Sequence, residues 1–264
     1  MIIDHSDSFN FYSKLVIPDD KRVLVCGDIH GKYRKFMNML DKKKFDPKND
    51  IILCTGDLAD RGEDSPKCLD LINEDWFFSV QGNHDTYGWE YLSEQHSGKK
   101  SMLAEAWQNE RTGGNWFFEL DKNQRRNVSR QFLRVMNLPF VREITYREKK
   151  IVMCHADYPS NEYAFNKEVN PMIMLYNRSR VRPDFGDPQD TTVISGADLF
   201  IHGHTTIPRI QLLGNRWYVD TGCGKSGKLT MIELDTLINE NSMRAKASQM
   251  YYNARRLRKE LSRE

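Results

Sequence analysis

The chain has 264 residues, 39% of them hydrophobic, with a formal net charge of +2; this suits one sizeable core and excludes collagen-like, mucin-like and disordered compositions. So small a charge gives no reason to expect nucleic acid beyond a weakly basic C-terminal tail, and no apolar run approaches the roughly 18 residues of a membrane span. The opening "MIIDHSDSFN" lacks the pattern of a secretory signal and the five cysteines are an odd number, so a cytoplasmic protein with no membrane contact is expected.

Residues 1–20 show no clear period and read as an irregular or short-strand extension. The run "VLVC" then predicts a buried strand that ends in "GDIHG", and Tyr33, Phe36, Met37 and Leu40 predict a helix behind it. "IILCTGD" repeats the pattern and is followed by a helix that Ser65 would cap, with Pro66 at its first position. "FFSVQGN" is a third strand. Residues 86–140 are helical in character, broken by "TGGNW" at 112–116, after which "IVMCHAD", "LFIHGH" and "WYVDTG" predict three more strands. Between the first two of these, residues 160–192 mix Pro, Asn and Asp with scattered aromatics and predict loops and helices over the site. The tail from Asn241 to Glu264 predicts a helix packed on the body through Met243, Ala247, Met250, Ala254, Leu257 and Leu261. Domain boundaries are expected at 1–20, 21–234 and 235–264. Cys26, Cys54 and Cys154 lie in apolar runs and are expected as small buried hydrophobes, while Cys68 and Cys223 carry no signal.

Strand, helix and strand in this spacing predict parallel pairing, with polar residues gathered beyond the carboxyl ends of the strands. Six strands end in Asp, Asn, His or Gly. They bring together Asp28, His30, Asp57, Asn83, His155 and His204, a set rich in oxygen and imidazole donors and free of thiolates. Six donors are too many for one tetrahedral ion and suit two divalent ions sharing a carboxylate; Mn²⁺ is the first choice, with Fe or Zn²⁺ also suited. Two such ions outweigh the two aspartates, so the site attracts anions. Arg61 and Arg178 could clamp phosphoryl oxygens, and His84, paired with Asp60, could protonate a leaving group. The pattern predicts hydrolysis of a phosphate ester by a hydroxide held between two ions.

Five segments, "GDIHG" (27–31), "GDLADRG" (56–62), "GNHD" (82–85), "CHADYP" (154–159) and "HGHT" (202–205), resemble in order the motifs of the phosphoprotein phosphatase family of calcineurin-like metallophosphoesterases. "GGNWFF" (113–118), "NRSR" (177–180) and "WYVDTG" (217–222) point to its small bacterial and phage branch. The resemblance covers roughly residues 21–233. It implies an α/β (α+β) fold, a two-sheet β-sandwich of mixed sheets flanked by helices, with the metal site at strand ends. It also implies that Asp28, His30 and Asp57 hold one ion and Asp57, Asn83, His155 and His204 the other, with Arg61 and Arg178 binding phosphate and Asp60 with His84 forming the acid pair.

The implied substrate is a protein or peptide carrying phosphoserine or phosphothreonine, with phosphotyrosine a further option. Two other readings stay open: a hydrolase of dinucleoside polyphosphates or nucleoside-capped RNA, and a non-catalytic binding module. Two residues depart from the family pattern. Asp85 stands where protein phosphatases of this family usually have Glu, and His202 adds an imidazole expected to face away from the metals.

Overall fold

The computed structural model describes residues 3–6, 11–182 and 187–261; within the N-terminal extension residues 1, 2 and 7–10, and in the tail residues 262–264, lie outside it. The strands are β1 (Ile3–Ser6), β2 (Tyr12–Val16), β3 (Arg22–Cys26), β4 (Asp50–Cys54), β5 (Phe77–Ser79), β6 (Val141–Tyr146), β7 (Lys149–Cys154), β8 (Leu199–His202), β9 (Gln211–Leu213), β10 (Arg216–Tyr218) and β11 (Met231–Glu233). The helices are α1 (Tyr33–Lys43), α2 (Ser65–Asp70), α3 (Asn83–Ser97), α4 (Met102–Trp107), α5 (Trp116–Glu119), α6 (Lys122–Val135), α7 (Pro171–Tyr176), α8 (Cys223–Ser226) and α9 (Leu234–Leu261).

Two mixed sheets result. One has the order β1-β2-β6-β7-β8-β10-β9 and the other β11-β3-β4-β5. The expected parallel pairing holds along β3-β4-β5 and along β7-β8-β10, while β1-β2, β6-β7, β9-β10 and β3-β11 are antiparallel.

Strand alternation explains how the sheets meet. Val23 and Val25 of β3 and Ile51 and Leu53 of β4 pack in one cluster with Ile151 and Met153 of β7 and Leu199 and Ile201 of β8. The alternate residues point outward: Leu24, Cys26, Ile52 and Cys54 into a helical layer, and Val152, Cys154 and Phe200 into a third cluster. Residues on both faces are buried, which is why these strands read as continuous apolar runs. All five cysteines are free and buried.

Two local features differ from expectation, each for a physical reason, and of the two alternatives for residues 1–20 short strands are seen at 3–6 and 12–16. Asp64, not Ser65, takes the cap position of α2, because the Ser65 hydroxyl accepts the N–H of Asp60 instead. Residues 12–16 are integral to the larger sheet: β2 runs parallel to β6 and buries Tyr12 and Leu15, with Ile17 just beyond it. Among its described side chains, the terminal helix packs through its first turns. Leu234 and Leu237 are fully buried, whereas Met243 and Met250 are 63% and 72% exposed, since one apolar residue per turn or two among charges leaves too narrow a stripe to bury. Ala247 of the expected face is exposed too, and the side chains of its remaining members, Ala254, Leu257 and Leu261, lie outside the described set.

Gly88 sets the approach of α3 to α6. A Cβ there would lie 2.4 Å from the Phe132 ring. Gly88→Ala should therefore lower stability by about 1–3 kcal/mol through overpacking, although Ala alone would favour the helix by about 1 kcal/mol. The urea midpoint reads this directly, and adding Phe132→Leu should recover part of the loss.

Candidate active site

Every expected site residue except Asp60, Arg61, His84 and Arg178 follows the carboxyl end of a parallel strand by one to four residues, and those four are placed by the turns and helices that come next. The turns are sharp. Of nine described non-glycine residues with positive φ, five are His30, Asp57, Asp60, Arg61 and His204. Such conformations cost about 1–3 kcal/mol each and persist where surrounding structure fixes them. Close approach requires glycine at two neighbours: a Cβ on Gly82 would meet the Asp57 backbone N and Oδ1 at 2.3 Å, and one on Gly203 would meet Asp28 Oδ1 at 2.0 Å.

Asp57 is the centre of the constellation. Its Oδ2 lies 3.4 Å from His30 Nε2, and its Oδ1 lies 3.3 Å from His155 Nε2 while accepting the His84 N–H at 2.9 Å. Asn83 Oδ1 is 3.0 Å from His155 Nε2 and 2.9 Å from His204 Nδ1, and the two ring nitrogens are 3.2 Å apart. Second contacts aim these donors. His155 Nδ1–H donates to the Thr55 carbonyl at 2.7 Å, His30 Nδ1 faces the Ala59 carbonyl, and Asn83 Nδ2 donates to the Tyr87 hydroxyl, which leaves Oδ1 toward the histidines. Asp28 accepts the Thr55 hydroxyl on Oδ1 and the His204 N–H on Oδ2.

The electrostatics favour a cation. Burial pushes the Asp57 carboxyl up, but His155, His84 and His30 outweigh it and hold it well below the usual range. Burial disfavours charge on His155, yet Asp57 overrides it and raises the imidazole to about 10. His204 is pushed down to about 2 by burial and by His155, and burial, with His84 and Arg61, drives His30 well below its ordinary value against the pull of Asp57. Burial and then Asp220 raise Asp28.

Donor atoms of two groups, His30, Asp57 and His84, and Asp57, His155 and His204, lie within 4.8 Å of one another. Donors bound at about 2.0–2.2 Å to one ion stand roughly 3 Å apart, the spacing seen among Asp57, Asn83, His155 and His204. The residues fit a two-metal site. Asp28 is outside both groups but within the field of Asp57 and His155, and its carboxylate keeps lone pairs beyond the two hydrogen bonds it accepts.

The proposed acid pair is also assembled. His84 Nδ1 lies 2.7 Å from Asp60 Oδ2, and the Asp60 carboxyl is fixed by indole N–H donors from Trp107 at 3.0 Å and Trp116 at 2.9 Å. Arg61 faces both His30 Nε2 at 2.7 Å and His84 Nε2 at 2.8 Å. Arg178 donates to the His204 carbonyl at 3.3 Å. Both arginines line a cavity of about 230 Å³ together with Asp57, Asn83, His84 and His204.

Sequence reasoning missed several supports. Trp107 and Trp116 bracket the "TGGN" turn, where only the aromatic pair gave a signal. Asp85 accepts three backbone N–H groups, from Asp57 and Gly82 on Oδ2 and from Leu58 on Oδ1, each at 2.9 Å. Its spacing three residues after Gly82 is that of a capping box and could have been read as such. Asp157 accepts from Asn177 at 3.0 Å and sits 3.3 Å from Arg180, which brackets Arg178 in the chain. His202 faces away from the metal cluster, as expected, with its ring against Phe200 and Tyr218.

Residues 21–208 match the calcineurin-like phosphoesterase family, and the chain belongs to it. It is a metallophosphoesterase, a hydrolase of phosphate esters. The chain is 36% identical to serine/threonine-protein phosphatase 2 of Escherichia coli over 84% of its own length and 97% of that protein's. It is 33% identical to serine/threonine-protein phosphatase 1 of Salmonella typhimurium, over 84% and 96% of the two chains. An asymmetrical bis(5'-nucleosyl)-tetraphosphatase of Anoxybacillus flavithermus is 25% identical over 83% and 94%. The fold matches, with a TM-score of 0.58 at 18% identity, a crystal structure assigned to a diadenosine tetraphosphatase, covering 84% of this chain and 93% of that one. Among the described residues no helix is long and apolar enough to cross a membrane.

Trp107→Phe keeps a ring while removing a donor to a buried carboxyl group. It should cost about 1–3 kcal/mol, read as a lower denaturation midpoint, and an unchanged midpoint would show that Trp116 alone suffices.

Proposed function

We propose that the protein removes phosphate from phosphoserine and phosphothreonine in proteins, with phosphotyrosine as a further substrate, in the cytoplasm. The observation that carries this reading is the Asp57 carboxylate facing a donor cluster on each oxygen, in one cavity with two arginines and a histidine paired to a buried acid. The relatives at 36% and 33% identity, matched over nearly their whole length, support a phosphoprotein over a dinucleotide. The free, buried cysteines suit a reducing compartment.

Asp28, His30 and Asp57 would hold one divalent ion and Asp57, Asn83, His155 and His204 the other, with Mn²⁺ as first choice and Fe or Zn²⁺ as alternatives. Such a pair of ions supplies a water acidified to near neutrality and charge stabilisation at phosphorus. The remaining work falls to side chains. Arg61 and Arg178 bind and orient the phosphoryl oxygens, a task suited to the planar guanidinium. His84 gives a proton from Nε2 to the leaving serine oxygen, and Asp60, on the Nδ1 side, holds the ring in orientation for that transfer. Trp107 and Trp116 hold Asp60 in place, and Asp85 holds the turn that carries Asp57.

Phosphate release by chelator-stripped protein, with and without Mn²⁺, tests the substrate class when a phosphoserine peptide and diadenosine tetraphosphate are run in parallel. Metal-dependent release from the peptide is the expected result; cleavage of the dinucleotide alone would move the protein to the nucleotide hydrolases. His84→Asn should lower kcat by about 10²–10⁴-fold with bound metal unchanged. Metal lost together with activity would instead make His84 a ligand, as its place beside His30 and Asp57 permits.

A further inference from the structure

The cavity holds more positive charge than a single phosphate ester needs. Besides Arg61 and Arg178 it is lined by Arg111 and Lys225, and Asp57 is its one acidic lining residue. Arg111 and Lys225 are exposed, and neither is in an ion pair with any described residue.

Both cations sit on segments fastened to Arg61. The turn before α5 bonds to it directly, the Gly113 carbonyl accepting the Arg61 N–H at 3.1 Å. The turn is closed by Asn109, whose Oδ1 accepts the Arg111 N–H at 2.9 Å, and by the Thr112 hydroxyl on the Ala106 carbonyl. The neighbour of Arg111, Glu110, lines with Glu119 and Trp116 an adjoining groove that also touches Arg61, while Arg111 lines the site cavity. Lys225 follows Gly224, where a Cβ would meet the His30 ring at 2.6 Å and Arg61 Cδ at 2.9 Å. Only a glycine lets α8 lie that close, and that approach brings Lys225 to the cavity.

We propose that Arg111 and Lys225 form a second anion subsite, which selects phosphorylated segments bearing another anionic group beside the phosphorylated residue. This rests on the phosphoprotein reading above. A carboxylate or a second phosphate supplies the same chemistry. In a concave site of one sign, two unpaired cations favour such a substrate both on approach and when bound.

The test uses Mn²⁺-loaded full-length protein and three phosphoserine peptides, identical except that the neighbouring residues are alanine, glutamate or a second phosphoserine. For the wild type, kcat/KM should be about 5–30-fold higher with glutamate than with alanine, from two partly exposed charge contacts, and the advantage should shrink as salt rises. A larger gain with the second phosphoserine would identify phosphate as the preferred source, and an equal gain would show that any anion serves. Arg111→Gln with Lys225→Met should bring all three peptides to one value, and Arg111→Lys with Lys225→Arg should restore the preference. Equal rates in the wild type, or a preference that survives the neutral pair, would overturn the subsite and leave the phosphoprotein reading standing. Hydrolysis of none of the peptides would overturn both.

Discussion

Asp57 faces His30 at 3.4 Å through one oxygen and His155 at 3.3 Å through the other, and it stays ionised in a buried site only because imidazoles surround it. A carboxylate in that position cannot be left unbalanced, since burying an unpaired charge is far costlier than any hydrogen bond gained. The surrounding structure follows from that constraint. Asp85 grips the Asp57 and Leu58 N–H groups, Gly82 leaves room for the carboxylate, and the Asp57 backbone adopts a left-handed conformation that few other residues would accept.

The two sheets make such a convergence possible. Parallel strands within one sheet deliver their following turns to the same end, and the facing sheets supply them from two sides: Asp28, Asp57 and Asn83 from β3, β4 and β5, and His155 and His204 from β7 and β8. A core buried on both faces of these strands gives the turns a rigid base. The strain concentrated at His30, Asp57, Asp60, Arg61 and His204 is thereby offset by packing elsewhere.

The parts visible in the sequence were those with a short-range signature. An apolar run ending in Asp, Asn or His marks both a strand and a donor, so the six donors and their shared location could be read directly. His202 was expected to face away from the metals, and the two-residue alternation of β8 is the reason it does, setting it on the side of Phe200 and opposite Ile201. Contacts between residues distant in the chain left no such mark. The bonds of Trp107 and Trp116 to Asp60 span 47 and 56 residues, and the link from Asp157 to Asn177 spans 20. Ser65 has the local sequence of a helix cap, but its hydroxyl was drawn to Asp60 by the tertiary turn. The terminal helix showed a plausible face, yet a periodic pattern cannot state whether another surface lies within reach of it.

Metal stoichiometry in wild type and Asp57→Asn, measured by calorimetric titration of the stripped proteins with Mn²⁺ and checked by elemental analysis, tests the shared carboxylate most directly. The account predicts about two ions per wild-type chain and the loss of tight binding at both sites in the variant, because one residue serves both donor clusters. Two ions still bound tightly by Asp57→Asn would show that the clusters are independent and that Asp57 is not the bridge.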